Sequence, residues 1–126
     1  GTDPGRAAAM KLAGNLMLMA ITTGLADAAA FLKALDIPRD EINNLFENFN
    51  PGMSVQPRAK RMLAGTFDNP SWELNMARKD ARLILAEAAG DIPSLAMVPH
   101  YAALMDRFIE QGLGHQDWTV IGKEAL

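Results

Sequence analysis

"AAAMKLAGNLMLMAITTGLADAAAFL", residues 7–32, decides how the rest of the chain is read. It is dominated by Ala, Leu and Met, all good helix formers, and it contains no proline. Just upstream, "TDPG" looks like a helix start, with Asp3 as the N-cap and Pro4 at the first helical position. No breaker follows before Pro38. The stretch therefore predicts one helix from about Gly5 to Leu35, roughly 45 Å long at 1.5 Å per residue. That exceeds the width of a small globule. A helix that is apolar nearly all round has to be enclosed, so another chain or domain is expected to supply part of the enclosure.

Two features argue that this helix is a buried helix of a soluble protein, although residues 12–32 approach the length of a bilayer span. Asn15, Thr22, Thr23 and Asp27 interrupt it, and neither an aromatic belt nor a flanking basic cluster accompanies it. A signal peptide fits poorly as well, since Asp27 falls where a small-residue cleavage site would be needed.

The bulk properties agree with one globular domain of 126 residues: 49% hydrophobic, 21% charged and only 6% aromatic. A net charge of −3 without a strong basic run speaks against a nucleic-acid surface. The cluster "RAKR" (58–61) reads as a solvated helix face. With no cysteine there are no disulfides and no thiolate metal sites, a composition that suits a reducing compartment. His100 and His115 lack a companion, so no metal site is expected.

Downstream, "IPRDEINNLFENF" restarts a helix with Pro38 at its head and Asp40 and Glu41 near the positive end of its dipole. "NPGMSVQP" (50–57) is turn-rich, "RAKRMLAG" (58–65) is a short helix closed by Gly65, and "TFDNPS" is a loop. "WELNM" (72–76) alternates as a short extended segment would, before "ARKDARLILAEAAG" turns helical. Pro93 precedes a last long helix near 94–111, ended by Gly112 and Gly114, and a loop with a short terminal turn or helix closes the chain. No segment alternates long enough to build a sheet. The fold class is all-α.

Three groups of polar residues stand out. Lys11 and Asn15 are spaced i, i+4 and so share a helix face. An ammonium there can exchange a proton with a hydroxyl, and a carboxamide can both donate to and accept from the same oxygen-bearing group. Pattern alone favours a plainer reading, a lysine that snorkels to water with Asn15 on the rim. Lys79 and Asp80 open an amphipathic helix; being adjacent, they serve different surfaces and read most simply as surface charges. Trp72 reads as core, with a π face for a planar ring as the alternative. Asp27, deep in the apolar run, reads as a pairing or capping group at a helix–helix contact.

Taken in order, these segments resemble the C-terminal helical domain of the β-hydroxyacid dehydrogenases. That family includes 3-hydroxyisobutyrate dehydrogenase, tartronate semialdehyde reductase and 6-phosphogluconate dehydrogenase. The family's Gly, then Lys six residues on, then an Asn pair, is matched by Gly5, Lys11 and Asn15. Its acidic residue 16 positions after the lysine is matched by Asp27. Its aromatic seven residues before a Lys-Asp pair is matched by Trp72, Lys79 and Asp80. "GLGHQDWTVIGKEAL" resembles its closing stretch of glycine turn, acidic residue, aromatic and short helix. Gly14 departs from the pattern by replacing the first Asn of the pair, and Ala7 lies where a second glycine is usual.

The resemblance covers essentially the whole chain and implies a helical bundle around one long first helix. It implies that Lys11 is the catalytic acid/base, that Asn15 and Trp72 contact substrate, and that Lys79 and Asp80 lie by the cofactor, NAD or NADP. Imine reductases share this fold but generally lack the lysine, so Lys11 favours a short 3-hydroxy acid and its semialdehyde as the substrate pair. The family's N-terminal Rossmann domain, which holds most of the dinucleotide, is not in this sequence. Residues 1–126 are thus expected to be the substrate-binding and dimerisation domain of a two-domain, cytoplasmic enzyme, inactive without its Rossmann partner. A homo-oligomer, dimer or tetramer, is expected, with no nucleic-acid or membrane partner. A non-catalytic helical oligomerisation module of the same fold is the alternative.

Overall fold

Asp3 and Pro4 start the first helix as the sequence implies: the Asp3 carboxylate accepts the Gly5 backbone N–H at 2.9 Å. A computed structural model describes residues 2–89 and 95–126. In it α1 runs unbroken over Pro4–Ala34, its 31 residues spanning roughly 46 Å at the helical rise. It is followed by α2 (Arg39–Asn48), a 3-10 turn (Pro51–Ser54), α3 (Val55–Ala64), α4 (Leu74–Glu87), α5 (Val98–Glu110) and a closing 3-10 helix (Trp118–Ala125). The fold is all-α, and among the described residues the only β pairing is a single bridge between Glu73 and Asp117.

Two clusters make the core, and both are centred on α4 and α5. Leu74, Ala77 and Ala81 fall on one face of α4, and Val98, Ala102 and Met105 on one face of α5. Phe67, Leu74, Ala77, Met105, Phe108 and Val120 form the first cluster; Ala81, Leu95, Val98 and Ala102 form the second. The small residues Ala77, Ala81 and Ala102 allow the two helices to approach closely. Arg78 adds a forked pair to Asp106 across them, at 2.7 and 3.2 Å.

α1 joins this bundle only near its C-terminal end. Ala30 packs on the second cluster. Asp27, the one buried residue of α1, accepts backbone N–H bonds from Ala96 (2.7 Å), Met97 (2.8 Å) and Val98 (3.3 Å). It thereby caps the N-terminus of α5 from another helix and compensates the positive end of that dipole. This is the capping role the sequence assigned to it. By contrast, residues 4–26 contain no buried side chain. Met10, Leu12, Leu16, Leu18 and Met19 are each 62–69% exposed. By length and composition alone α1 could cross a membrane.

Three local expectations need correction. α4 begins at Leu74 rather than after Met76, so only Trp72 and Glu73 of "WELNM" lie outside the helix, and of these Glu73 is extended. Their partners lie at 114–118, far along the chain: Leu74 N–H donates to the Gln116 carbonyl and Asn75 N–H to that of Gly114, both at 2.9 Å. α5 begins at Val98, where Asp27 caps it, rather than near 94; the restart at Pro93 lies outside the described residues. α3 starts at Val55, three residues earlier than expected, and closes at Gly65 in the left-handed region (φ 67°) as expected.

Candidate functional site

Lys11 and Asn15 share one face of α1, Lys11 exposed and Asn15 half-buried. Sixteen residues separate Lys11 from Asp27, which places it about 24 Å farther along the helix and turned about 160° from the side that docks on the bundle. The Lys11 ammonium therefore projects away from its own bundle, with Asn15 one turn nearer to it. Among the described residues neither makes a side-chain hydrogen bond or ion pair. A crevice around them needs a wall that the described residues do not supply.

On α4, Met76, Lys79 and Leu83 are spaced i, i+3, i+7, so they form one outward stripe opposite the buried Leu74, Ala77 and Ala81. All three are exposed, Met76 and Leu83 despite being apolar. Asp80 is exposed beside the stripe and is seven residues into the helix, not at its start. Sequence reading singled out Lys79 and Asp80 here but passed over Met76 and Leu83. The available signal was two apolar residues seven positions apart, off the face that carries Leu74, Ala77 and Ala81.

Trp72 is not core: it is 37% exposed. It lies against Trp118 with ring centroids 5.2 Å apart and planes tilted by 59°, an arrangement that suits two quadrupoles. The guanidinium of Arg58 sits 4.8 Å from the centre of the Trp118 ring, on its face. Arg58, Trp118 and Trp72 thus form a continuous stack that leaves part of Trp72 open to solvent.

Beneath the stack is a group of residues that the sequence reading noted only as part of the closing stretch. Asp117 is 1% exposed, and both its oxygens are occupied. Oδ1 accepts from the Thr119 N–H (3.0 Å) and hydroxyl (2.6 Å). Oδ2 accepts from the Ser71 N–H (3.0 Å) and hydroxyl (3.2 Å) and from Arg61 (2.5 Å). Burial pushes the Asp117 carboxyl up, but the bonds from Thr119 and Ser71 and the Arg61 charge outweigh it and hold the group below the ordinary aspartate value. "RAKR" is therefore not simply a solvated face: Arg61 is drawn inward to Asp117 and Arg58 onto Trp118. A small cavity of about 90 Å³ lies here, lined by Arg58, Arg61, Ser71, Asp117 and Trp118 among others. A larger open depression of about 560 Å³, lined by Met62, Phe67, Lys123 and Leu126 among others, holds none of the sequence-predicted site residues.

The structure thus presents two separate candidate surfaces. One is the Lys11–Asn15 face of α1; the other is Trp72 with the outward stripe of α4.

No family model and no curated protein matches the sequence. Among the solved structures that share the fold are two of imine reductases. One is the imine reductase from Myxococcus stipitatus in complex with NADP+, at a TM-score of 0.85 and 16% identity, with 94% of this chain and 45% of that one covered. The other is a V8 variant of that enzyme in complex with NAD+, at 0.86 and 16%, covering 97% and 44%. At this identity the likeness establishes the fold, a bundle around one long first helix. The chain spans less than half the length of either protein.

Proposed function

We propose that this chain is the substrate-binding and dimerisation domain of a two-domain, NAD(P)-dependent oxidoreductase, and that it supplies the catalytic lysine. The carrying observation is that Lys11 and Asn15 sit one turn apart on a bare helix face, in a fold shared with NAD(P)-bound reductases. When bound, the nicotinamide would give or take the hydride at the substrate carbon. Lys11 would donate its proton to the carbonyl oxygen in reduction and withdraw it from the hydroxyl in oxidation. Asn15 would hold the same oxygen through its carboxamide. The open face of Trp72 fits a planar ring, and Lys79, flanked by Asp80 and the apolar Met76 and Leu83, fits the edge of a dinucleotide. An ammonium poised for an oxygen favours a short 3-hydroxy acid and its semialdehyde or oxo acid.

The bare half of α1 supports the remainder of the reading. Fully burying a side chain such as Leu or Met is worth about 1.5–3 kcal/mol, so enclosing the two-thirds-exposed Met10, Leu12, Leu16, Leu18 and Met19 could contribute up to roughly 5–10 kcal/mol. The enclosing surfaces are a Rossmann domain of the same protein and a second copy of this chain. Cytoplasmic location belongs to the same reading.

The test is an NAD(P)H assay of the chain joined to its dinucleotide-binding domain, run on short 3-oxo acids, semialdehydes and cyclic imines. Turnover of an oxo acid or semialdehyde that is lost in Lys11→Ala, with helical content retained, is the expected result. Unchanged turnover in that variant rejects the role of Lys11. Reduction of imines alone keeps the enzyme class and rejects the substrate. A folded oligomer without turnover on any of them favours the non-catalytic module.

A further inference from the structure

The loop between α3 and α4 carries Trp72 and has no helix or sheet of its own to hold it. It is held by one buried carboxylate and one guanidinium together with two backbone bonds to Asp117 and Trp118. Asp117 Oδ2 grips both the backbone and the hydroxyl of Ser71, the residue immediately before Trp72. The Trp72 carbonyl accepts the N–H of Trp118, the residue immediately after Asp117, at 2.8 Å. Asp117 N–H donates to the Phe67 carbonyl at the near end of the same loop, also at 2.8 Å. Arg61 completes the clamp by bonding the Asn69 carbonyl at 3.0 Å while it pairs with Asp117. Each tryptophan is therefore one peptide away from a group fixed by the same carboxylate. The carboxylate thereby fixes the two backbone segments from which the paired rings project.

We infer that Asp117, aided by Arg61, is a positioning residue that sets the angle and exposure of the Trp72 face through the Trp72–Trp118 pair. It touches no reacting atom. Asn at this position keeps the shape but replaces an acceptor with a donor, turned either toward Ser71 and Arg61 or toward Thr119. Turned toward Ser71 and Arg61, the amide sets donors against donors; turned toward Thr119, it keeps an oxygen on Ser71 but gives up the charge that holds Arg61, and either way the grip on the loop from Asn69 to Trp72 weakens. The functional consequence rests on the reading of Trp72 as a site residue; the geometric consequence does not.

The protein has only two tryptophans, and they form this pair, so their exciton-coupled circular dichroism reports on it directly. Trp72→Phe first assigns the couplet. Asp117→Asn is expected to weaken the couplet with the helical signal retained. Asp106→Asn breaks an ion pair elsewhere in the bundle and is expected to leave the couplet intact. Should Asp117→Asn fail to fold, Ser71→Ala and Arg61→Lys remove single arms of the clamp and are expected to weaken the couplet. A couplet unchanged in every folded clamp variant overturns the inference.

In the two-domain enzyme, a double-mutant cycle of Asp117→Asn with Trp72→Ala separates positioning from general support. If Asp117 acts through Trp72, the double variant is no worse than Trp72→Ala alone; fully additive losses in kcat/KM overturn the positioning role. Should Trp72→Ala leave turnover unaltered, the site reading of Trp72 fails while the couplet still decides the clamp.

Discussion

Replacing Asp27 by alanine tests how α1 is tied to the bundle. The carboxylate accepts two short bonds from Ala96 and Met97 and a longer one from Val98, all at the N-terminus of α5. Ala96 is exposed, so water replaces that bond at little cost; Val98 is buried and its N–H is left without a partner. A buried orphan donor costs about 1–3 kcal/mol. Loss of a cap costs about 1 kcal/mol more, and the unopposed helix dipole adds roughly 0.3–1 kcal/mol. The sum for Asp27→Ala is about 3 kcal/mol. Asp27→Asn, which can still accept but is uncharged, should lose about half of that. In urea, at a slope of about 1–3 kcal/mol per molar, the alanine variant should unfold at a midpoint lower by at least about 1 M. Hydrogen exchange should show the Met97 and Val98 amides losing protection first. Asp106→Ala serves as the comparison, because its half-exposed pair with Arg78 should be worth at most about 1 kcal/mol. A loss below about 0.5 kcal/mol in Asp27→Ala would refute the reasoning, since no buried N–H of that kind can be abandoned so cheaply.

Tyr101, the only tyrosine, has its hydroxyl pKa raised by burial and then by the charge of Asp27. Absorbance titration should show it ionising above the ordinary tyrosine range, and Asp27→Asn should bring it back toward that range. Because the folded value is the higher one, its stabilising contribution is complete below the unfolded pKa of about 10 and is lost as pH rises through the folded value. Gly114→Ala should destabilise by about 1–3 kcal/mol in thermal or urea melts, because its Cβ would stand 2.3 Å from Asn75 Oδ1 and 2.7 Å from Cγ. Gly122→Ala should be nearly neutral, since its Cβ meets the flexible end of Met62, which can swing aside. Leu16→Glu with Leu18→Glu should shift the chain toward monomer in sedimentation velocity; an unaltered distribution, or a wild-type monomer at high concentration, would remove α1 from the self-association surface.

Local signals carried most of the helices. Asp3 and Pro4 mark the start of α1, Gly65 closes α3, and the lone acid in an apolar run marks Asp27 as a cap. These succeed because cap and breaker chemistry is decided within a turn of the residue concerned. The failures all depend on partners distant in sequence. "WELNM" alternates, but α4 starts inside it because Leu74 and Asn75 find their carbonyl acceptors at Gln116 and Gly114. Nothing near Arg58 or Arg61 reveals that Trp118 would lie under the exposed Arg58 guanidinium, or that Asp117, more than fifty residues on, would draw Arg61 inward. At the candidate site, the i, i+4 relation of Lys11 and Asn15 was legible, whereas the clamp under Trp72 was not. Asp117 looks like any loop acid until the fold surrounds it.

The single unbroken α1 also acts as a lever whose fulcrum is the Asp27 anchor. With Lys11 about 24 Å out along a stiff rod, a tilt of only about 5° at the fulcrum swings the ammonium through roughly 2 Å. In the role proposed for Lys11, that is the difference between touching an oxygen and missing it. Sub-ångström placement of that nitrogen must then be imposed by whatever grips the far end of the rod, and small repacking changes around Ala30 would be felt by the lysine as reach.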